Sequence, residues 1–186
     1  MKRPLAGSAL LLLSFAAALN AQDRHGFWIA PGMGGGLVRV SCDSCRTRSW
    51  RGLDFAIALG ITPNPHVRVG VEWRYSARYV SDTVPLLQAY NAVASYYPRR
   101  HGGPFVECGL GLARYSTSSQ TIINLGQGFG TSIGAGWEID AGQHVLLKPQ
   151  LSYSYGGVGT LRARGAPVAS GWKQQLLLFE IMGSPR

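Results

Sequence analysis

Residues 66–80 read HVRVGVEWRYSARYV, and their alternation decides the fold. Odd positions carry Val67, Val69, Val71, Trp73, Tyr75, Ala77 and Tyr79. Even positions carry Arg68, Gly70, Glu72, Arg74, Ser76 and Arg78. Successive side chains on a strand point to opposite faces, so this stretch is a strand with one apolar and one polar face.

The same parity recurs on both sides of it. In 50–61, Leu53, Phe55, Ile57, Leu59 and Ile61 oppose Gly52, Asp54, Ala56, Ala58 and Gly60. In 104–116, Val106, Cys108, Leu110 and Leu112 oppose Glu107, Gly109, Gly111 and Ala113. In 127–140, Phe129, Ile133, Ala135, Trp137 and Ile139 oppose glycines, Ser132 and Glu138. In 145–155, Val145, Leu147, Leu151, Tyr153 and Tyr155 oppose Lys148, Gln150, Ser152 and Ser154. The last segment, 172–182, sets Leu177, Phe179 and Ile181 against Glu180. The first, 27–40, is interrupted by Pro31 and the run from Gly32 to Gly36, where a bulge is expected. A phosphate-cradling loop is the sharper reading of that run, but no P-loop lysine or dinucleotide fingerprint follows it. Residues 84–97 fit a helical face as well as a strand, through Leu86, Leu87, Tyr90, Val93, Ala94 and Tyr97.

The start of the chain has the form of an export signal. Lys2 and Arg3 precede a short apolar run from Leu5 to Ala18, and small residues follow, so residues 1–21 read as a signal peptide and 22–186 as one domain. The run falls short of the roughly 20 residues a helical span needs. The chain carries a formal charge of +9, two of it on Lys2 and Arg3, with 25 glycines and only 15% charged residues. An exported basic chain rarely meets nucleic acid, and anionic lipid head groups suit it better.

Alternation also fits a soluble ligand carrier. The contents of the interior separate the two readings. The face bearing Trp73, Tyr75, Phe129, Trp137 and Phe179 is too bulky and continuous for the inside of a small barrel. Each such side chain gains about 1.5–3 kcal/mol on leaving water. A bilayer provides that gain on the outside, and a sheet crossing lipid must close because an unpaired backbone group there costs several kcal/mol. The opposite face then lies inside, where Asp54, Arg68, Glu72, Arg74, Glu107, Glu138, Lys148 and Glu180 supply both signs of charge. These residues read as a packed salt-bridge core. The sharper alternative is an ion pathway, but eight strands leave room only for side chains.

With its signal peptide, eight period-two segments and the stretch GPFVECGLGLARYS (103–116), the chain resembles the small outer-membrane β-barrel proteins of Gram-negative bacteria, the OmpA/OmpX-like superfamily. That resemblance spans nearly the whole mature chain. It implies an all-β, eight-stranded antiparallel up-and-down transmembrane barrel in the outer membrane, inserted by the assembly machinery. An even strand number is the rule for such barrels, which makes 84–97 a strand. The connections alternate in length, with tight turns at 62–66, 98–103 and 140–143 and longer ones at 41–49, 117–126 and 156–171, the short link near 81–83 being the exception; short periplasmic turns and longer outer loops are the pattern of such barrels. Members of the group often close on an aromatic residue, whereas here Phe179 is followed by EIMGSPR.

Candidate chemistry is sparse. Cys42 and Cys45 fall in the first outer loop. No βαβ pattern surrounds them and no four-ligand metal set is at hand, so a local disulfide is expected, with free thiols the alternative. Cys108 reads as a small hydrophobe. No cofactor or metal is implied. Arg46, Arg48, Arg51, Arg78, Arg162 and Arg164 gather near outer ends and suit the phosphates of lipopolysaccharide. Trp50, Tyr79, Tyr115, Tyr153, Tyr155 and Trp172 suit an interfacial girdle. His66, His101 and His144 lie at expected periplasmic turns, so the outer loops hold Ser and Thr without a histidine base. A structural or surface-interaction role is therefore expected. A narrow passive pore and a lipid-A-modifying enzyme are the alternatives, and the loops' extracellular partner is left open.

Overall fold

A computed structural model describes residues 26–78, 84–118, 123–142, 145–163 and 165–185. The signal peptide therefore lies outside the described residues, as do Tyr79, His144, Arg164 and the link at 79–83.

Eight strands follow one another in sequence and in space. They are β1 (Gly26–Ser41), β2 (Arg48–Asn64), β3 (Val67–Ala77), β4 (Val84–Tyr96), β5 (Gly103–Ser118), β6 (Ile123–Asp140), β7 (Val145–Ala163) and β8 (Ala166–Pro185). Each pairs antiparallel with the next, and β1 also pairs with β8, which closes the barrel. Among the described residues no helix is long and apolar enough to cross a membrane. The crossing is made by strands, and even β3, the shortest, has the 11 residues that a tilted crossing needs.

The alternation is borne out on every strand. Val71, Trp73, Leu110, Phe129, Ile133, Leu151, Phe179 and Ile181 are exposed on the outer surface, and Asp54, Glu72, Arg74, Glu138, Lys148 and Glu180 are buried within. Residues 84–96 form a strand, with Leu87 and Val93 inward and Tyr90 and Tyr96 outward, and Tyr97 just past its end is buried. On β1 the outward apolar run extends from Phe27 to Leu37. For strands tilted about 40° that is roughly 25 Å, the height of an outer-membrane apolar band.

Three expectations about strand boundaries are corrected. The bulge at Pro31–Gly36 is absent: β1 keeps one register with β2 from Gly26 to Val40 and with β8 from Gly32 to Ser41. The glycines serve close approach instead. A Cβ at Gly34 or Gly36 would run into the β8 backbone at Phe179 and Leu177. Pro31, which has no N–H to donate, sits just outside the β1–β8 ladder. The expected loop at 117–126 shrinks, because β5 and β6 stay paired up to Ser118 and Ile123. The expected loop at 156–171 is largely a two-stranded ribbon, paired up to Ala163 and Ala166, with register shifts from Gly157 to Arg162. Backbone pairing persists in both places although the apolar alternation has ended.

Candidate functional site

The interior is layered. At mid-height Arg74 is the hub. Its Nη1 lies 2.8 Å from Glu180 Oε1, its Nη2 lies 3.2 Å from Glu72 Oε2, and its Nη1 lies 3.8 Å from Asp54 Oδ2. Nη1 also donates to Ser152 Oγ at 3.0 Å. Gln150 Nε2 and Ser152 Oγ donate to Glu180 Oε2 at 2.9 and 3.2 Å, and Ser76 donates to Asp54. Strands β2, β3, β7 and β8 are tied together through this one guanidinium. Its planar fork of donors suits several carboxylates at once.

Below it, toward the short turns, Arg68 Nη1 pairs with Glu138 Oε2 at 3.2 Å. Lys148 is buried among rings, its Nζ 4.6 Å from the Phe105 centroid, 5.8 Å from Tyr97 and 5.9 Å from Trp28. Cation–ring attraction of this kind is strengthened by desolvation. Glu107 stands apart, half-buried, accepting from Ser95 Oγ at 2.6 Å. The eight interior charges thus do not form one network.

The interior is also not polar throughout, contrary to the sequence-based expectation. Trp28, Ala30, Ala56, Ala58, Val93 and Met182 pack together near the turn end. Val38, Val40, Leu87, Ala113, Tyr115, Val158, Leu161, Leu176 and Leu178 pack together near the outer end, with Trp50, Ala169 and Trp172 against them. Tyr115 and Trp172, expected in the lipid-facing girdle, instead pack against each other within this outer layer, their rings tilted by 42° and their centroids 4.6 Å apart. Trp50 joins them, half-buried, with the Arg78 guanidinium 5.8 Å above its ring. Tyr153 and Tyr155 do sit on the outward-facing parity of β7. A cavity of about 10 Å³, room for about one water, lies by Arg74, Asn91, Ser154 and Gln174. Asn91 Oδ1, Ser154 Oγ and Gln174 Oε1 have no hydrogen-bond partner among the described residues.

At the outer end, Cys42 and Cys45 are joined in a disulfide. The loop they clip is docked on β8: Asp43 N donates to Ser170 O at 3.1 Å, and Ser170 Oγ donates to Asp43 Oδ2 at 3.2 Å. Arg46, Arg48, Arg51, Arg78 and Arg162 are all exposed. They do not form one cluster, because Arg162 lies on β7 and Arg51 on β2. The sequence reading passed over Arg39, Arg114 and Lys173. These are outward-facing strand residues at the same end, hidden within apolar alternation. The one available signal was the first charge after each apolar run. Cys108 faces outward beside Ala94 and Ile133. His66 and His101 lie at the turn end, away from this rim, and among the described residues no three His, Cys, Asp or Glu side chains come together to hold a metal.

No family model and no curated protein matches the chain. Solved structures do. Neisserial surface protein A (NspA) is 18% identical over 84% of this chain and 96% of its own, with a TM-score of 0.63. Ail, the attachment invasion locus protein of Yersinia pestis, is 14% identical over 86% of this chain and 99% of its own, at 0.53. The N-terminal β-barrel domain of Pseudomonas aeruginosa OprF is 13% identical over 88% of this chain and 98% of its own, at 0.53. Closed by eight antiparallel strands, with an apolar band on its outside and buried ion pairs within, the chain has the fold of these small β-barrel structures.

Proposed function

We propose that this barrel is a closed, non-catalytic scaffold whose work is done at its outer end. The observation that supports this reading is the packing around Arg74. A guanidinium bridging three carboxylates sits between two apolar layers, and the cavity beside it has room for about one water. An eight-stranded barrel has no spare width for a solute path unless these side chains move together. The outer end, by contrast, presents a disulfide-clipped loop followed by exposed Arg46 and by exposed Arg48 at the start of β2. A basic rim suits anionic surface partners, lipopolysaccharide first among them. The Ail barrel has itself been solved in complex with the heparin analogue sucrose octasulfate. The test is electrical. Purified barrel in planar bilayers is expected to give no single-channel openings, and regular openings of reproducible size would contradict the closed reading.

A further inference from the structure

On the outer surface of three strands the apolar run ends at a cation. Leu37 is followed on β1 by Arg39, Leu53 leads on β2 to Arg51, and Leu177 on β8 gives way to Gln175 and Lys173. These three strands are neighbours across the closing seam. Arg39 is flanked by Gln175 on one side and Ser49 on the other, while Lys173 faces Ser41 and Arg51 faces Leu37. Lys173 and Arg51 are therefore each one diagonal step from Arg39, about 7–8 Å in a sheet and within reach of long side chains.

All three are exposed, and none has an ion pair among the described residues. The acids are elsewhere. Asp54, Glu72, Glu107, Glu138 and Glu180 are turned inward, and Asp43, the one described acid near this rim, accepts from Ser170. Like charges on adjacent strands destabilise each other unless an anion lies between them. Their depth names the anion. They sit immediately above a band of roughly 25 Å, at head-group level on the side of the longer loops. Arginine forks a phosphate with two parallel N–H bonds, and lysine adds a point charge.

We propose that Arg39, Arg51 and Lys173 seat a phosphate of lipid A, with its acyl chains lying along exposed Met33, Leu53 and Phe179 below. This rests on the outward orientation of the basic end in the reading above and deepens it. It does not depend on the closed interior. The test is native mass spectrometry of the folded full barrel with bis-phosphorylated lipid A, dephosphorylated lipid A and phosphatidylglycerol. Phosphorylated lipid A is expected to bind, and Arg39→Gln/Arg51→Gln/Lys173→Gln is expected to weaken it at least tenfold. Arg99→Gln/Arg100→Gln, at the opposite end, should leave it unchanged. Should the triple variant lose its heat-modifiable gel mobility, the single variants Arg39→Gln and Arg51→Gln replace it, each with about a threefold loss. Equal binding of dephosphorylated lipid A, equal binding by the variants, or equal binding of phosphatidylglycerol through the same residues would overturn the assignment. A barrel that conducts in bilayers yet binds phosphorylated lipid A in this way would overturn the closed reading and leave this one standing.

Discussion

Arg74→Ala is expected to destabilise the folded barrel by about 3–5 kcal/mol, the largest effect of any interior substitution. Arg74 faces Glu72, Glu180 and Asp54, all buried, at 3.2, 2.8 and 3.8 Å. Removing the one cation leaves three carboxylates in a dry interior, where an unpaired charge is far more costly than the pair was favourable. Arg74→Lys should recover part of the loss, because it restores the charge but not the fork that reaches three other strands at once. The combination Arg74→Met/Asp54→Asn/Glu72→Gln/Glu180→Gln should recover most of it by removing the charge on both sides. The check is the urea midpoint of the heat-modifiable gel band in detergent micelles. An Arg74→Ala midpoint equal to the parent would mean that the guanidinium does not hold the core.

The second large effect concerns closure. Gly36→Val is expected to prevent most of the chain from reaching the closed form. The Cβ it adds would meet the Leu177 carbonyl and come within 2.8 Å of Leu178 Cα, both backbone of the partner strand. Backbone cannot turn aside as a side chain does, so β8 would have to retreat from β1 at the seam. An opened seam in lipid leaves N–H and C=O groups unpaired at several kcal/mol each. Gly34→Val should act in the same direction, since Glu180 Cα lies 2.8 Å from its added Cβ. Gly183→Ala is the control, because nothing lies within 4 Å of the added atom. Folded yield by gel mobility after refolding into micelles reads the difference. Equal yields from Gly36→Val and Gly183→Ala would contradict the close-approach account of the glycine run.

These two sites mark where the sequence was legible and where it was not. Arg74 could be placed inside from parity alone, because lipid and interior impose opposite demands on alternate residues of β3. Parity also put Tyr115 on the Ala113 face. Its bulk argued for the girdle instead, yet the outer mouth accommodates it against Trp172. The Gly32–Gly36 run read as a bulge because glycine in a strand marks either a bulge or close backbone approach, and composition does not choose between them. The ribbon at 157–171 was illegible for a different reason. Its bulges reset the parity, and it buries too little to need an apolar face. Arg39 and Arg51 meet across the β1–β2 pairing, but Lys173 lies far off in the chain and only the closing register brings it to them.

The orientation of the two faces underlies all of this, and the native Cys108 tests it without a substitution. Among the described residues it is the one cysteine outside the disulfide, facing outward on β5 between Leu110 and Val106. A nitroxide on Cys108, with Val71→Cys and Ile133→Cys as companion sites on a Cys108→Ser background, should collide readily with oxygen. It should be shielded from a water-soluble nickel chelate in bilayers. High nickel accessibility at all three positions would place this face in water and contradict the transmembrane account.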